Sequence, residues 1–364
     1  MIGGFLGAGK TTAVVKLGRW LAAQGRRVGL IDNDQGSGLV DTALIASHGL
    51  PVEEISGGCF CCRFASLVEA ASKLEERARP EVFIAEPVGS CTDLVATVTY
   101  PLRRLYGDRY SIAPLSVLVD PTRAARLLGL ESGTRFSPKV EYIYRKQLEE
   151  ADLIVINKSD LLSSERRGSL RNSLATEFPK AEILLVSART GDGLEDWFQR
   201  ITSTLQAGRE TMAVDYEVYA EGEALLGWLN ASFQFEAPAP VPADHILRRL
   251  AEAIQGGIQS TGGEIAHLKM TLEPNDSIGD LAVINLVRND YVPELSQTCE
   301  SPVTNGHITV NLRAEAAPES LREILEKAAL GLAASAPYTV LKIEHLESFR
   351  PGKPQPTHRM ASRA

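Results

Sequence analysis

Gly4-Phe5-Leu6-Gly7-Ala8-Gly9-Lys10-Thr11 decides the fold of this chain. The spacing, Gly-x-x-x-x-Gly-Lys-Thr, is that of a phosphate-binding loop. Its glycines let the backbone turn so that N–H groups point inward and cradle β-phosphate oxygens. Lys10 is expected to bridge the β- and γ-phosphates, and the Thr11 hydroxyl to ligate Mg²⁺. A helix opening at Thr12 adds the positive end of its dipole. The alternative is a glycine-rich turn with no ligand, and it leaves the amphipathic stretch that follows unexplained. Only Met1 and Ile2 precede Gly3. The central strand that normally leads into such a loop is therefore expected to be missing or truncated, with the natural start upstream.

Working outward, short apolar runs alternate with amphipathic stretches. Val28 to Ile31, Val82 to Ala85, Leu115 to Val119, Leu153 to Ile156 and Ile183 to Val186 read as buried strands. Thr12 to Gln24, Leu67 to Arg79 and Lys139 to Glu150 read as helices between them. That alternation predicts an α/β P-loop domain with a mostly parallel sheet and right-handed crossovers over residues 1–206. Residues 207–214 read as a linker. Beyond it, Leu225 to Phe235, Ile265 to Leu272, Leu281 to Val287, His307 to Leu312 and Tyr338 to His345 read as strands. Asp244 to Gln259 and Pro318 to Ala334 read as helices, and Pro238 to Pro242 as a stiff connector. This order predicts a smaller α+β, ferredoxin-like domain over 215–349, with one extra strand. The Pro- and Lys/Arg-rich stretch 350–364 reads as a mobile tail.

Each candidate site residue falls at the carboxyl end of a strand, where open α/β sheets bind ligands. Asn157-Lys158-Ser159-Asp160 closes the run Leu153 to Ile156. An acceptor-only carboxylate at Asp160 suits the two adjacent donors on the guanine edge and repels adenine. Lys158 is expected along the face of the base, with Asn157 holding the loops together. Ser187-Ala188-Arg189 is placed to offer a backbone contact to the guanine oxygen. Glu86, in Glu86-Pro87-Val88-Gly89, sits where Mg²⁺ is held through water, and Gly89 lets backbone approach the γ-phosphate. Asp32, Asn33 and Asp34 end another strand. One of them is expected to face Mg²⁺ or the attacking water, with Asp34 preferred. Asp120 ends a further strand and is expected to cap the next helix at Pro121.

The second unusual stretch is Gly57-Gly58-Cys59-Phe60-Cys61-Cys62. Three thiolates from Cys59, Cys61 and Cys62 on an irregular loop suit Zn²⁺, Cu(I) or a similar soft or borderline ion. A three-sulfur shell leaves one position open, which fits delivery better than permanent structure. Two other readings stand beside it: buried core cysteines, and a redox-sensing thiol set. Cys91 offers a fourth sulfur. The cluster lies between the strand ending at Ile31 and Glu86, an interval that in P-loop GTPases responds to the γ-phosphate.

Composition narrows the class. Five cysteines, three of them clustered, do not make a secreted disulfide framework. A net charge of -8 argues against a nucleic-acid binder. No run reaches membrane-spanning length and no leader pattern precedes the first motif, so a cytoplasmic protein is expected.

Taken together, Gly-Gly-Phe-Leu-Gly-Ala-Gly-Lys-Thr-Thr, Asn33-Asp34-Gln35-Gly36 with Asp41, Gly-Cys-Phe-Cys-Cys, Glu-Pro-Val-Gly and Asn-Lys-Ser-Asp resemble the CobW/HypB/UreG family of metal-handling P-loop GTPases. The C-x-C-C triplet resembles the CobW branch. The resemblance covers roughly residues 1–205. It implies GTP hydrolysis coupled to transfer of zinc, cobalt or nickel to a client metalloprotein. Lys10 and Thr11 would carry phosphate and Mg²⁺, Glu86 the Mg²⁺ side, Asn157, Lys158 and Asp160 the guanine, and the three cysteines the transferred metal. A regulatory GTPase with a metal- or redox-sensing cluster is the alternative, and an accessory role in corrinoid metabolism is as open as zinc delivery. The chain departs from the family at Gly57, where Asn is usual, at Gln35, where an aromatic is usual, and in lacking a histidine-rich stretch. No arginine finger is visible, so intrinsic hydrolysis is expected to be slow, with a homodimer partner or a client to supply it.

Overall fold

The computed structural model describes residues 1–34, 40, 45, 48–208, 210–276, 279–335 and 340–360. They divide into two compact units. Residues 1–34, 45–222 and 353–360 form one; Val40 and residues 223–352 form the other.

The first unit is built on seven parallel strands. β1 (Ile2–Gly4), β5 (Ser116–Val119), β6 (Leu153–Ile156) and β7 (Glu182–Leu185) form one sheet in that order. β3 (Val52–Ile55), β2 (Val28–Asn33) and β4 (Val82–Glu86) form a second. The strand expected to be missing or truncated before the phosphate loop is present as three residues, pairing Ile2, Gly3 and Gly4 with Ser116, Val117 and Leu118. β5 and β6 are buried along their whole length, which is why they read as apolar runs, interrupted in β5 by Ser116. The helix Lys10–Ala23 lays Val14, Leu17 and Leu21 into the same core as Leu30, Ile84 and Leu118. β3 escapes the sequence pattern because Val52-Glu53-Glu54-Ile55 is charged at its centre and only half-buried.

The first unit continues past the expected linker to Gly222. Tyr219 is fully buried, and its hydroxyl accepts from the Thr92 amide at 3.3 Å. Tyr216 donates to Asp93 at 2.7 Å. These contacts tie 211–222 to the P-loop unit rather than leaving a free connector.

The second unit is a six-stranded antiparallel sheet, ordered β11 (Glu294–Gln297), β10 (Ala282–Leu286), β9 (Glu264–Pro274), β12 (Val303–Glu315), β8 (Leu226–Val241), β13 (Val340–Phe349). Within it, β13-β8-β12-β9 is the ferredoxin-like order, extended by two strands rather than one. Helices Ala243–Ser260 and Pro318–Ser335 bury Leu247, Leu250, Ile254, Leu321 and Leu325 in its core. The stiff connector at Pro238 to Pro242 proves instead to be the end of β8, with Pro242 at the N-cap of the next helix. Its ladder with β12 shifts register between Glu236 and Val241, so prolines there cost few ladder bonds. Tyr338 and Thr339, expected to open the last strand, lie outside the described residues.

Candidate nucleotide and metal site

The phosphate loop is held from several sides. Gly9 has φ +87, and a Cβ there would lie 2.5 Å from Asn157 Nδ2, so only glycine fits. Asn157 donates Nδ2 to the Ala8 carbonyl at 2.8 Å and accepts the Ala188 amide on Oδ1 at 2.9 Å. It thereby joins the phosphate loop to the loop after β7. Lys158 reaches the Gly7 carbonyl and Asp120 Oδ2, each at 2.9 Å. Arg123, buried, stacks over Phe136 at 4.9 Å and Phe5 at 5.6 Å and donates to the Leu6 carbonyl at 3.3 Å. Sequence reasoning missed Arg123, which looks like any arginine on a helix.

Thr11 Oγ1 donates to Glu86 Oε1 at 3.1 Å, and Lys10 Nζ stands 3.9 Å from the same oxygen. All three are buried. Thr12 is exposed on the first turn. Gly4 sits in β1 with φ +132. Gly89 packs on the phosphate loop so closely that a Cβ would meet Leu6 Cδ2 at 2.7 Å. At the base-recognition end, Asp160 Oδ1 is buried with no hydrogen-bond donor among the described residues. An orphaned acceptor there is what a guanine edge would satisfy. Three residues make contacts beyond those expected. The Ala188 amide is spent on Asn157 rather than offered to a base oxygen. The Ser187 hydroxyl accepts the Thr190 amide at 3.1 Å. Asp120 caps its helix through the Thr122 and Arg123 amides, as expected, but also pairs with Lys158.

The strand-end triplet divides its labour. Asp32 is the register partner of Glu86 and is buried. Asn33 donates to the Ile55 carbonyl at 2.8 Å and the Gly58 carbonyl at 2.7 Å, and accepts the Phe60 amide at 3.0 Å. Asp34, preferred from sequence, lies beyond β2 with its amide on Ile55 O at 3.2 Å. The register therefore favours Asp32 for the place beside Glu86. Gln35, Gly36 and Asp41 lie outside the described residues.

Asn33 thus ropes the cysteine loop to the end of β2. Gly57, at φ +73, turns the chain, and Cys62 N–H and Arg63 N–H return to the Cys59 carbonyl at 3.1 and 2.9 Å. That tight turn opens the helix Phe64–Ala78 and gathers the sulfurs. Cys59 and Cys61 Sγ are 2.9 Å apart, Cys61 and Cys62 3.7 Å, and all three lie within 4.8 Å of one another. Tetrahedral zinc–thiolate geometry needs sulfurs about 3.8 Å apart, a small relaxation away. Cys91, buried, contacts the Cys59 and Cys61 thiols. Its loop is fixed by Gln147, whose Nε2 donates to the Gly89 and Cys91 carbonyls at 2.9 Å each. Hydrogen bonds from Cys61, Cys62 and Cys91 hold the Cys59 thiol well below its ordinary value. The same contact with Cys59 raises Cys61 and pushes Cys62 up to about 11. The three sulfurs thus share their protons unequally, Cys59 the most acidic of them.

Comparison with known proteins agrees with this geometry. A family model described as the CobW/HypB/UreG nucleotide-binding domain matches residues 1–184. The zinc chaperone CobW of Sinorhizobium sp is 28% identical over 211 residues, covering 53% of this chain and 59% of that protein. The zinc chaperone YeiR of Escherichia coli K12 is 30% identical over 176 residues, covering 47% and 49%. The hydrogenase maturation factor HypB of Azotobacter vinelandii is 28% identical over 197 residues, covering 52% and 55%. The chain spans about half the length of the curated relatives it matches. No helix among the described residues is long and apolar enough to cross a membrane.

Proposed function

The chain belongs to the CobW/HypB/UreG family, and from that premise we propose that it is a GTP-hydrolysing metallochaperone. It binds Zn²⁺ (or Co²⁺) at Cys59, Cys61 and Cys62 and passes it to a client metalloprotein.

One observation carries this reading. Three sulfurs converge on a turn that Asn33 ropes to the end of β2, one residue from Asp32 in register beside Glu86. The metal turn and the phosphate-sensing carboxylate therefore share a strand end. A second link runs through the loop after β4: Gly89 rides on Leu6 of the phosphate loop, and Cys91 touches Cys59 and Cys61. Movement of this loop with the γ-phosphate would change how many sulfurs face the metal.

Lys10 and the phosphate-loop amides bind the phosphates, and Asp160 selects guanine. Mg²⁺, when bound by Thr11 with Glu86 beside it, supplies charge neutralisation of the transferred phosphoryl group. Arg123 is committed to the Leu6 carbonyl and two aromatic rings, so it stabilises the loop rather than acting as a mobile finger. Turnover of the isolated chain is accordingly slow.

The test is zinc affinity of the full chain loaded with Mg²⁺ and a non-hydrolysable GTP analogue or with GDP. One zinc ion per chain, bound more tightly in the GTP-analogue state and lost in Cys61→Ala/Cys62→Ala, is expected. Equal affinity in both states would sink the coupling, and zinc retained by the double variant would sink the site. The 2.9 Å Cys59–Cys61 approach also supports a redox-sensing reading. That reading predicts a disulfide on mild oxidation and no transfer of zinc to any acceptor.

A further inference from the structure

The stretch Lys353-Pro354-Gln355-Pro356-Thr357-His358-Arg359-Met360, expected to be a mobile tail, is docked against the cysteine turn. Gln355 N–H donates to Cys62 Sγ at 3.2 Å. Thr357 N–H donates to the Cys61 carbonyl at 2.8 Å, and Thr357 Oγ1 to the Cys62 carbonyl at 2.9 Å. His358 meets the Phe64 ring edge-on at 5.0 Å. The far end is pinned by Arg359, which pairs with buried Asp93 at 2.7 Å and donates to the Met212 carbonyl at 3.0 Å. Met360 N–H closes on the Ala96 carbonyl at 2.9 Å.

The composition suits this docking. Pro354 and Pro356 lack N–H groups and favour an extended chain. Between them and just after, the amides left to donate are those of Gln355 and Thr357, and both are spent on the cysteine turn. Proline also lowers the entropy lost on docking, so a few bonds suffice to hold the segment. Those bonds are exposed: Gln355, Thr357 and Arg359 face solvent, and Cys62 is only half-buried. A segment held this way opens locally without unfolding its unit.

We propose that Lys353–Met360 is a strap belonging to the cysteine site: its Gln355 amide and Thr357 fix the Cys61-Cys62 turn, and it must lift for the metal to leave. This rests on the metal-handling function above. An N–H···S bond to a ligating sulfur and a hydroxyl clamp on the ligand's backbone are outer-shell partners. Losing such partners commonly costs 10–100-fold in metal affinity. Gln355 and Thr357 are thus positioning residues that act through Cys62.

The strap is tested in the full chain with Gln355→Pro, which deletes the amide donor, and Gln355→Ala, which keeps it. Thr357→Val removes the hydroxyl clamp alone. Zinc-loaded protein is mixed with a chelator, and metal-free protein with iodoacetamide, following Cys62 alkylation by mass spectrometry. Gln355→Pro is expected to lose zinc about 10-fold faster and to be alkylated at Cys62 about 10-fold faster. Gln355→Ala should match the unaltered chain, and Thr357→Val should fall between. If the full chain holds no stoichiometric zinc, the metal function fails, yet faster alkylation of Gln355→Pro would still establish the strap. Alkylation and zinc loss unchanged in Gln355→Pro would overturn it, as would Gln355→Ala behaving like Gln355→Pro.

Discussion

At the residue scale, the cysteine triplet divides its protons unequally, and that has a measurable consequence. Cys59 is held low by its thiol neighbours, while Cys61 and Cys62 are held high. A raised thiol keeps its proton at neutral pH, and only thiolates bind zinc. Zinc uptake near pH 7 should therefore expel at least two protons, those of Cys61 and Cys62. Affinity should rise as pH rises, by at least about a hundredfold per unit near neutral pH, and less steeply once Cys62 ionises near 11. Calorimetry in buffers of different ionisation enthalpy reads the proton count. Release of one proton or fewer would mean that not all three sulfurs bind. Single residues were also where the sequence was least legible. The polar triplet Asp32-Asn33-Asp34 was visible, but which member faces which loop depends on strand register, which one sequence does not contain. Asn33 became legible only when its three bonds appeared. Gln147 left no signal, because a glutamine on an amphipathic helix is ordinarily solvated.

At the scale of elements, the central parallel strands were legible because burial on both faces makes them short, mostly apolar runs of about four residues. β3 was not, since its central glutamates hide a half-buried edge strand. The strap was not, since alternating prolines look the same in a disordered tail and in a docked extended segment. What the pattern Gly-Lys-Thr and Asn-Lys-x-Asp did imply is that two loops from distant strands meet, and Gly9 is where they touch. Gly9→Ala places a Cβ 2.5 Å from Asn157 Nδ2 at a φ of +87. The left-handed backbone alone costs about 1–2 kcal/mol for a residue with a side chain. The clash must also push Asn157 off the Ala8 carbonyl or the Ala188 amide. The expected outcome is an at least tenfold weaker binding of a fluorescent GDP analogue, with a modestly lowered unfolding midpoint. Unchanged affinity would show that the Asn157 clamp is dispensable for nucleotide binding.

At the scale of the whole chain, each unit has its own hydrophobic core: Val14, Leu118, Val155 and Trp197 anchor one, and Phe233, Leu250, Leu312 and Leu325 the other. The proposed sites for phosphate, guanine and metal all belong to the first. A ligand stabilises only the structure that binds it, by about 2.7 kcal/mol at one hundred times its dissociation constant. Chains with separate cores commonly unfold in separate steps. Urea unfolding is therefore expected in two transitions, and Mg²⁺-GDP or zinc should move one of them and leave the other in place. The tryptophans report which is which. Trp20 and Trp197 lie in the first unit and Trp228, fully buried, in the second. Trp228→Phe should leave fluorescence that follows only the ligand-sensitive transition, and Trp20→Phe/Trp197→Phe only the insensitive one. A single transition that shifts as a whole with ligand in both variants would show instead that the two cores fold as one cooperative body.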